Sequence, residues 1–154
     1  MDKTIIEFLQ NQNCATVCCT DETRKPYCFS CFYAFDSCNG VLYFKSSANS
    51  QHAFIMKKNP LIAGTVLPDR LNKLSVRGIQ FEAEVLDNTA AEIQDGMKDY
   101  FKKHPVALLM PGEIWALQVN QIKMTDNTLG FGKKIIWNRP EISEESVVLS
   151  ETES

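Results

Sequence analysis

Apolar residues recur at helical spacing in some segments of the chain and at the spacing of β-strands in others. These patterns predict its helices and strands. After the N-cap residue Asp2, helical spacing predicts a first helix that ends near Asn11 to Asn13. The short apolar run CATVCCT (14–20) predicts a buried strand, and YCFSCFYAFD and VLYFK follow it across polar turns. Residues 14–46 therefore predict three strands joined by hairpins.

The second half of the chain continues this alternation. SQHAFIMKKN predicts a short helix that Ser50 caps and Pro60 follows, and LIAGTV (61–66) predicts a strand. In KLSVRGIQFEAEVLD the apolar parity reverses at Gly78, which predicts a β-bulge in a long bent strand. AAEIQDGMKDYFKKH predicts an amphipathic helix ended by Pro105, and EIWALQVNQIKMT and GFGKKIIW predict two more strands.

These elements predict a mainly β protein, a small β-barrel with flanking helices. We place the domain at residues 1–138, because a chain of this size buries enough surface to fold without a metal or disulfide. Residues 139–154 predict a flexible acidic tail, since from Pro140 onward they hold five glutamates and no Lys or Arg.

Charge and hydropathy limit the classes of partner that the protein could bind. The formal net charge is -3, and without the five glutamates of the tail the body carries about +2 (-3 plus 5), unlike the strongly basic surface of a nucleic-acid binder. The start MDKTIIEFLQNQN lacks the apolar core of a signal peptide, and no apolar run is long enough to span a bilayer. We therefore expect a cytoplasmic protein with reduced thiols and no nucleic-acid or membrane partner.

The stretch CFSCFYAF contains a CxxC spacing, which is typical of zinc and thiol redox sites. In a strand, however, Cys28 and Cys31 lie about 10 Å apart and point to opposite faces, so they can neither form a disulfide nor bind one zinc. Cys18 and Cys19 also face apart, and Cys14 lies about 13 Å from Cys18. We predict no metal site and no dithiol chemistry.

YFKSSANSQHAF is more informative, because a strand end delivers Lys45 and Ser46 to the start of a helix. Free backbone N–H groups, hydroxyls and a cation favour an anion there, although Ser50 and Lys45 have an ordinary alternative as a helix cap and a solvated lysine. His52 could donate to a phosphate or be an ordinary surface histidine. His104, at the end of the later helix, predicts a C-terminal cap.

Several motifs resemble the pyridoxamine 5'-phosphate oxidase-like FMN-binding split barrels. The resemblance covers residues 2 to about 138 and is carried by IIEFLQNQN, ATVCCT, KPYCFSCFYAFDSCNGVLYFKS, SANSQHAFIMKKNP and VRGIQFEAEV. Within it, FYAFD, QHAFIMKKNPLIAGTV, HPVALL and especially KMTDNTLGFGKKIIW resemble the YhbP-type branch of small uncharacterised bacterial proteins.

This resemblance implies a homodimer with two flavin sites at the interface, each built from both chains. It implies that the second strand lies along the flavin ring, and that the next strand end and helix start bind the phosphate. The long bent strand would reach the ring. A lysine late in the chain would lie near the position of a basic residue that binds the flavin in that family. The implied cofactor-binding residues are Ser30, Cys31, Phe32, Tyr33, Lys45, Ser46, Ser50, Gln51, His52, Gln80, Lys133 and Lys134.

The chain departs from the family near the helix start, where Gln51 and His52 replace an Arg and a Lys of typical members. Two such cations could form charge-assisted hydrogen bonds worth about 1.5 to 3 kcal/mol each. Two functions therefore remain open. The first is an FMN-dependent oxidoreductase that acts on a small molecule, with neither a catalytic side chain nor the substrate identified. The second is a non-enzymatic dimeric module that binds a flavin or another planar cofactor, or a split barrel that has lost cofactor binding.

Overall fold

A closed antiparallel barrel forms the centre of the structure, a computed structural model that describes residues 1–87 and 91–141. The strands are β1 (Cys14–Thr20), β2 (Pro26–Asp36), β3 (Val41–Ser46), β4 (Leu61–Val66), β5 (Arg77–Val85), β6 (Glu113–Asp126) and β7 (Lys134–Asn138). The barrel strands follow the order β3-β2-β1-β4-β5-β6, and β6 pairs back with β3 to close the barrel. The last strand, β7, pairs with β6 outside this ring.

In the part of the chain that the structure describes, three helices flank the barrel: α1 (Lys3–Asn11), α2 (Gln51–Lys58) and α3 (Ala91–Lys103), and a 3₁₀ turn at Pro105–Leu109 follows α3. The Asp2 carboxylate accepts a hydrogen bond from the N–H of Thr4, so the predicted cap of α1 is confirmed. Among the described residues, none of the helices is both long and apolar enough to cross a membrane.

The barrel interior holds the main apolar core, which includes Val17, Phe44, Leu117 and Trp115. A smaller apolar cluster lies outside the barrel wall, where Tyr43 and neighbouring residues pack against the buried face of α3. The two cores explain why β3 and the first half of β6 are buried on both faces. They also fix the position of α3 beside the end of β2.

The barrel is split along β2. This strand pairs with β1 over residues 26–32, but it pairs with β3 over Tyr33–Asp36 alone. Residues 26–32 therefore have a neighbouring strand on one side and a gap on the other. The predicted mainly β barrel is confirmed, and the gap is the feature that makes it a split barrel.

The predicted bulge at Gly78 is wrong. Gly78 pairs regularly with Thr125, and the register instead shifts between Glu82 and Ala83, where β6 carries the extra residue, Asn120. The apparent change of parity came from Leu74 and Val76, which lie before β5 in an exposed connection rather than in the strand. The predicted acidic tail lies outside the described residues after position 141.

Candidate functional site

The gap beside β2 opens into a cavity of about 520 Å³, a volume within the range usual for small-molecule sites. One wall is β2 from Phe29 to Phe32, and the base is the end of β3 with the first turn of α2. The opposite wall is the end of α3 with the segment that follows it to Pro111. The split therefore brings three consecutive elements, β2, β3 and α2, together with the end of α3, which is distant from them in sequence.

The exposed edge of β2 supplies main-chain hydrogen-bonding groups to this cavity. The N–H of Tyr33 donates to the carbonyl of Asn13 at 3.0 Å, so odd-numbered residues of β2 direct their peptide groups to the β1 side. Peptide groups alternate sides along a strand, and those of Cys28 and Ser30 consequently face the gap. A ligand with a polar edge could pair with this part of β2 as a neighbouring strand would.

Flat aromatic surfaces line the cavity. The rings of Phe29 and His52 stack with centroids 3.8 Å apart and an interplanar angle of 12°. Phe32, whose side chain is 62% exposed, lies 5.6 Å from the ring of His104. These rings could pack against a planar ligand, an arrangement that adds specific stacking energy to apolar burial.

His52 also forms a hydrogen bond between Nε2 and the Ser46 Oγ at 2.6 Å. Burial lowers the pKa of His52 below its ordinary value of 6.5, because the charged imidazolium loses water there. The ring is therefore neutral at pH 7. It acts as a hydrogen-bonding and stacking group, not as a fixed cation.

We predict that His52 makes the folded state less stable in mild acid. The pKa is lower in the folded state than in the unfolded state, so the unfolded state binds more protons as the pH falls through the ordinary value toward the folded one. The free energy of unfolding should therefore decrease as the pH is lowered from about 7.5 through the ordinary value of 6.5. Urea unfolding across this range should show a shallower pH slope for His52→Gln, which keeps a polar partner for Ser46. An equal slope in the two proteins would contradict the prediction.

Two lysines border the cavity, and the fold uses both. Lys45 Nζ donates to the carbonyls of Ala107 at 2.7 Å and Met110 at 2.6 Å, which anchors the wall after α3. Lys103 Nζ donates to the carbonyl of Gln12, and burial lowers the pKa of this lysine. Neither ammonium group is a free counter-ion, although Lys45 retains a third N–H.

His104 stands at the predicted C-terminal cap of α3, where its backbone N–H donates to the carbonyl of Tyr100 at 2.8 Å, but its side chain reaches across to β2. Its Nε2 lies 2.7 Å from the carbonyl of Tyr33, and because a carbonyl can only accept, Nε2 carries the hydrogen. The ring thus connects the end of α3 to β2 and lines the cavity. Both histidines of the chain border this one cavity. The sequence alone does not predict this, because it depends on where α3 packs.

Half of the predicted cofactor-binding residues line the cavity, namely Ser30, Cys31, Phe32, Lys45, Ser46 and His52. The wall formed by Tyr100, Lys103, His104 and the residues up to Pro111 is not predicted from the sequence. The motif HPVALL belongs to this wall, but its apolar composition gives no sign that Lys45 anchors it. The signal that could have found it is the pair of prolines, Pro105 and Pro111, which bound an irregular segment.

The other predicted residues lie elsewhere in the chain. Tyr33 is fully buried in the barrel core, where its hydroxyl donates to the carbonyl of Leu9 at 2.7 Å. The Ser50 Oγ accepts from the N–H of Ala53 and donates to the carbonyl of Ser47, so Ser50 serves as a helix cap. The remaining predicted residues, Gln51, Gln80, Lys133 and Lys134, are exposed and outside the cavity lining, and Gln80 borders a separate depression on the outer sheet face.

Within residues 1–87 and 91–141, the structure shows no cluster of three or more His, Cys, Asp or Glu side chains that could hold a metal ion.

Known structures share this fold at low sequence identity. A heme-binding protein from Mycobacterium smegmatis matches 85% of this chain with a TM-score of 0.72 and 12% identity, and the match covers 55% of that longer chain. An FAD-binding protein from Mesorhizobium loti matches with a TM-score of 0.62 and 12% identity, over 79% of this chain and 92% of that one. HutZ, a heme storage protein from Vibrio cholerae, matches the same shares with a TM-score of 0.58 and 15% identity.

Sequence relatives are much closer. No family model matches the chain. The chain is 36% identical over 135 residues to the UPF0306 protein plu4501 of Photorhabdus laumondii, which covers 88% of this chain and 94% of that protein. It is 33% identical over 135 residues to a UPF0306 protein of Serratia proteamaculans, with 88% and 93% coverage. The chain has the split-barrel fold, and it matches these relatives over nearly the whole of their length. It therefore belongs to the UPF0306 family.

Proposed function

We propose that this protein binds FMN non-covalently in the cavity beside β2, as a homodimeric member of the YhbP-type branch of the pyridoxamine 5'-phosphate oxidase-like split barrels. The observation that carries the proposal is the composition of that cavity. It joins aromatic surfaces, the unpaired edge of a strand and the start of a helix in one volume of about 520 Å³.

The flavin ring fits the β2 side of the cavity. An isoalloxazine is planar and apolar over its faces, and one edge carries alternating hydrogen-bond acceptors and a donor. Phe29 and Phe32 provide apolar faces, and the peptide groups of Ser30 and Cys28 provide donors and acceptors at the β2 edge. A planar ligand without a polar edge would leave these peptide groups without partners.

The phosphate fits the base of the cavity, at the end of β3. His52 of the first turn of α2 lies there with the hydroxyl of Ser46 and with Lys45, which retains a third N–H. Because Gln51 and His52 stand where typical members have cations, we expect weaker phosphate binding than in those members. The affinity therefore depends more on ring stacking here.

Homodimer formation is part of this proposal. The segment that forms the outer wall of the cavity exposes a run of apolar side chains: Val106, Leu108, Leu109 and Met110. Leu109 is 88% exposed, which is unusual for so large an apolar group beside a cavity. A second copy would cover this run and complete the cavity, and light scattering of the purified protein would measure the dimer directly.

Bound FMN supplies hydride-transfer chemistry, and the residues described here would hold and orient the ring. We therefore propose oxidoreductase activity on a small molecule as the first function. The binding module without catalysis remains the alternative, and photoreduction followed by a screen of electron acceptors distinguishes the two.

Heme is the second candidate ligand, because His52 and His104 border the same cavity. His104 donates through Nε2 to a carbonyl, the kind of second hydrogen bond that orients a metal-binding histidine and leaves its other nitrogen for the metal. Two of the structural neighbours named above are heme proteins. Absorption spectra separate the candidates, because flavin and heme have different visible bands.

The decisive experiment is titration of the purified protein with FMN and with hemin, followed by absorbance and fluorescence. We expect FMN to bind and Phe29→Leu, which retains apolar volume but lacks the ring, to weaken it by up to about tenfold. The matched control is Phe54→Leu, an exposed aromatic on the outer side of α2, which should leave the affinity unchanged. A protein that takes up no FMN, or equal affinity in the Phe29 variant, would contradict the proposal.

A further inference from the structure

Two cysteines face each other across β1 and β2. The register pairs Cys18 with Cys28 directly, and the residues on both sides of them pair without a register shift, from Thr20 with Pro26 to Cys14 with Phe32. Odd-numbered residues of β2 form the hydrogen-bonded pairs with β1, so Cys18 and Cys28 form a non-hydrogen-bonded pair. Such pairs bring their Cα atoms to about 4.5 Å, within the range that a disulfide can span.

Both side chains lie on the outer face of the sheet. Cys28 is exposed and Cys18 is half-buried, and together they line a shallow depression of about 390 Å³. Cys19 is buried on the opposite face, and Cys31 lines the cavity beside β2. Cys18 and Cys28 are therefore separated from the other thiols and accessible to small oxidants.

The two thiols also contact each other. A hydrogen bond between Cys18 and Cys28 is the largest cause that raises the pKa of the Cys18 thiol, followed by burial. Cys18 consequently keeps its proton more firmly than an ordinary thiol does. The more exposed Cys28 is the sulfur that an oxidant would reach first.

We propose that Cys18 and Cys28 form a reversible thiol redox site, which a hydroperoxide oxidises to an intramolecular disulfide. The Cys28 thiolate attacks a peroxide oxygen, the O–O bond breaks, and Cys28 becomes a sulfenic acid. The departing alkoxide or hydroxide takes up the proton that the Cys28 thiol released, and leaves as an alcohol or water. The Cys18 sulfur then attacks the Cys28 sulfur. The S–S bond forms, the S–O bond breaks, and the departing hydroxide takes the Cys18 proton to leave as water. Two thiols thus give two electrons to one hydroperoxide.

The place of this pair gives the oxidation a local effect. Residues 26–32 of β2 bond to β1 alone, so a covalent link at Cys28 joins the part of β2 that borders the gap firmly to the barrel. This inference does not depend on which ligand the cavity takes. Its chemistry needs only the two thiols and the oxidant.

The test exposes the full-length, folded protein to hydrogen peroxide, then blocks the remaining thiols with an alkylating agent in denaturant and counts them by mass spectrometry. We expect the six free cysteines to fall by two, and dithiothreitol to restore them. Cys18→Ser and Cys28→Ser should each abolish the intramolecular disulfide. Cys14→Ser and Cys38→Ser, which replace other exposed cysteines, are matched controls that should still lose two thiols.

Fragmentation of the oxidised wild-type peptides provides a second measurement that needs no variant to fold, and it should place the link between Cys18 and Cys28. The proposal is overturned if the disulfide persists in either the Cys18 or the Cys28 variant, or if the link joins other cysteines. It is equally overturned if peroxide produces intermolecular disulfides alone, or none.

Discussion

Replacing Lys45 with alanine should lower the free energy of unfolding by about 3 kcal/mol, because two hydrogen bonds from a charged donor are lost at once. The Lys45 ammonium donates to the carbonyls of Ala107 and Met110, which lie more than sixty residues away in sequence. The Lys45 ammonium also lies over the ring of Phe101, 5.3 Å from its centroid. Without it, the outer wall of the cavity loses its connection to β3, and we expect FMN binding to weaken as well.

Urea unfolding and FMN titration of the same variant measure the two effects. Lys45→Met retains most of the stem, so it should keep the apolar packing of the stem and still lose the two hydrogen bonds and the contact of the ammonium with Phe101. Lys57→Ala removes an exposed lysine from the last turn of α2 and should change stability by no more than about 0.5 kcal/mol. If Lys45→Ala is as stable as Lys57→Ala, the wall does not depend on the ammonium group.

The second large effect is expected for Gly96→Ala. A Cβ at this position would lie 1.9 Å from the Tyr43 ring, which is buried beneath α3. Alanine is normally better than glycine inside a helix by about 1 kcal/mol, but a collision with a buried ring costs more, since overpacking typically costs about 1 to 3 kcal/mol or more. We expect a net loss of about 2 kcal/mol, seen as a melting temperature lower by roughly 4 to 8 °C.

The Gly96 substitution should also reach the cavity, because α3 must move outward to accommodate the methyl group. Its last turn carries Lys103 and leads into His104, and both side chains bond to backbone carbonyls across the packed interface. Asp99→Ala, on the exposed face of the same helix, is the control that tests helix propensity without the collision. A Gly96→Ala protein at least as stable as wild type would show that α3 does not pack this closely.

Local patterns were sufficient to predict the elements of this fold. Helical and alternating periods located α1, α2 and each strand of the barrel, because one face of every element is buried. They failed at Leu74 and Val76, where exposed apolar residues in a connection imitated the alternation of a strand. Periodicity reports a pattern of side chains, and it cannot distinguish burial from coincidence over a few residues.

The candidate site was less predictable, because its parts meet through tertiary packing. Lys45 and Ser46 could be placed beside His52 from a strand end and a helix start, which are adjacent in sequence. The wall around His104 depends on where α3 rests against β2, and no local pattern carries that information. The cysteines show the same limit, since comparing them along one strand excluded a pair, whereas the register of two strands brings Cys18 opposite Cys28.

The one-sided pairing of β2 has a consequence for solubility. A strand whose peptide groups lack a neighbour is a template for another chain, and natural proteins cover such edges to avoid aggregation. Here the elements around the cavity cover the edge. α2 lies at one end of the exposed segment, and the residues after α3 form a wall across from it. A ligand that pairs with Ser30 would therefore protect the protein from edge-to-edge association. Occupancy of the cavity would then affect the solubility of the protein as well as its chemistry.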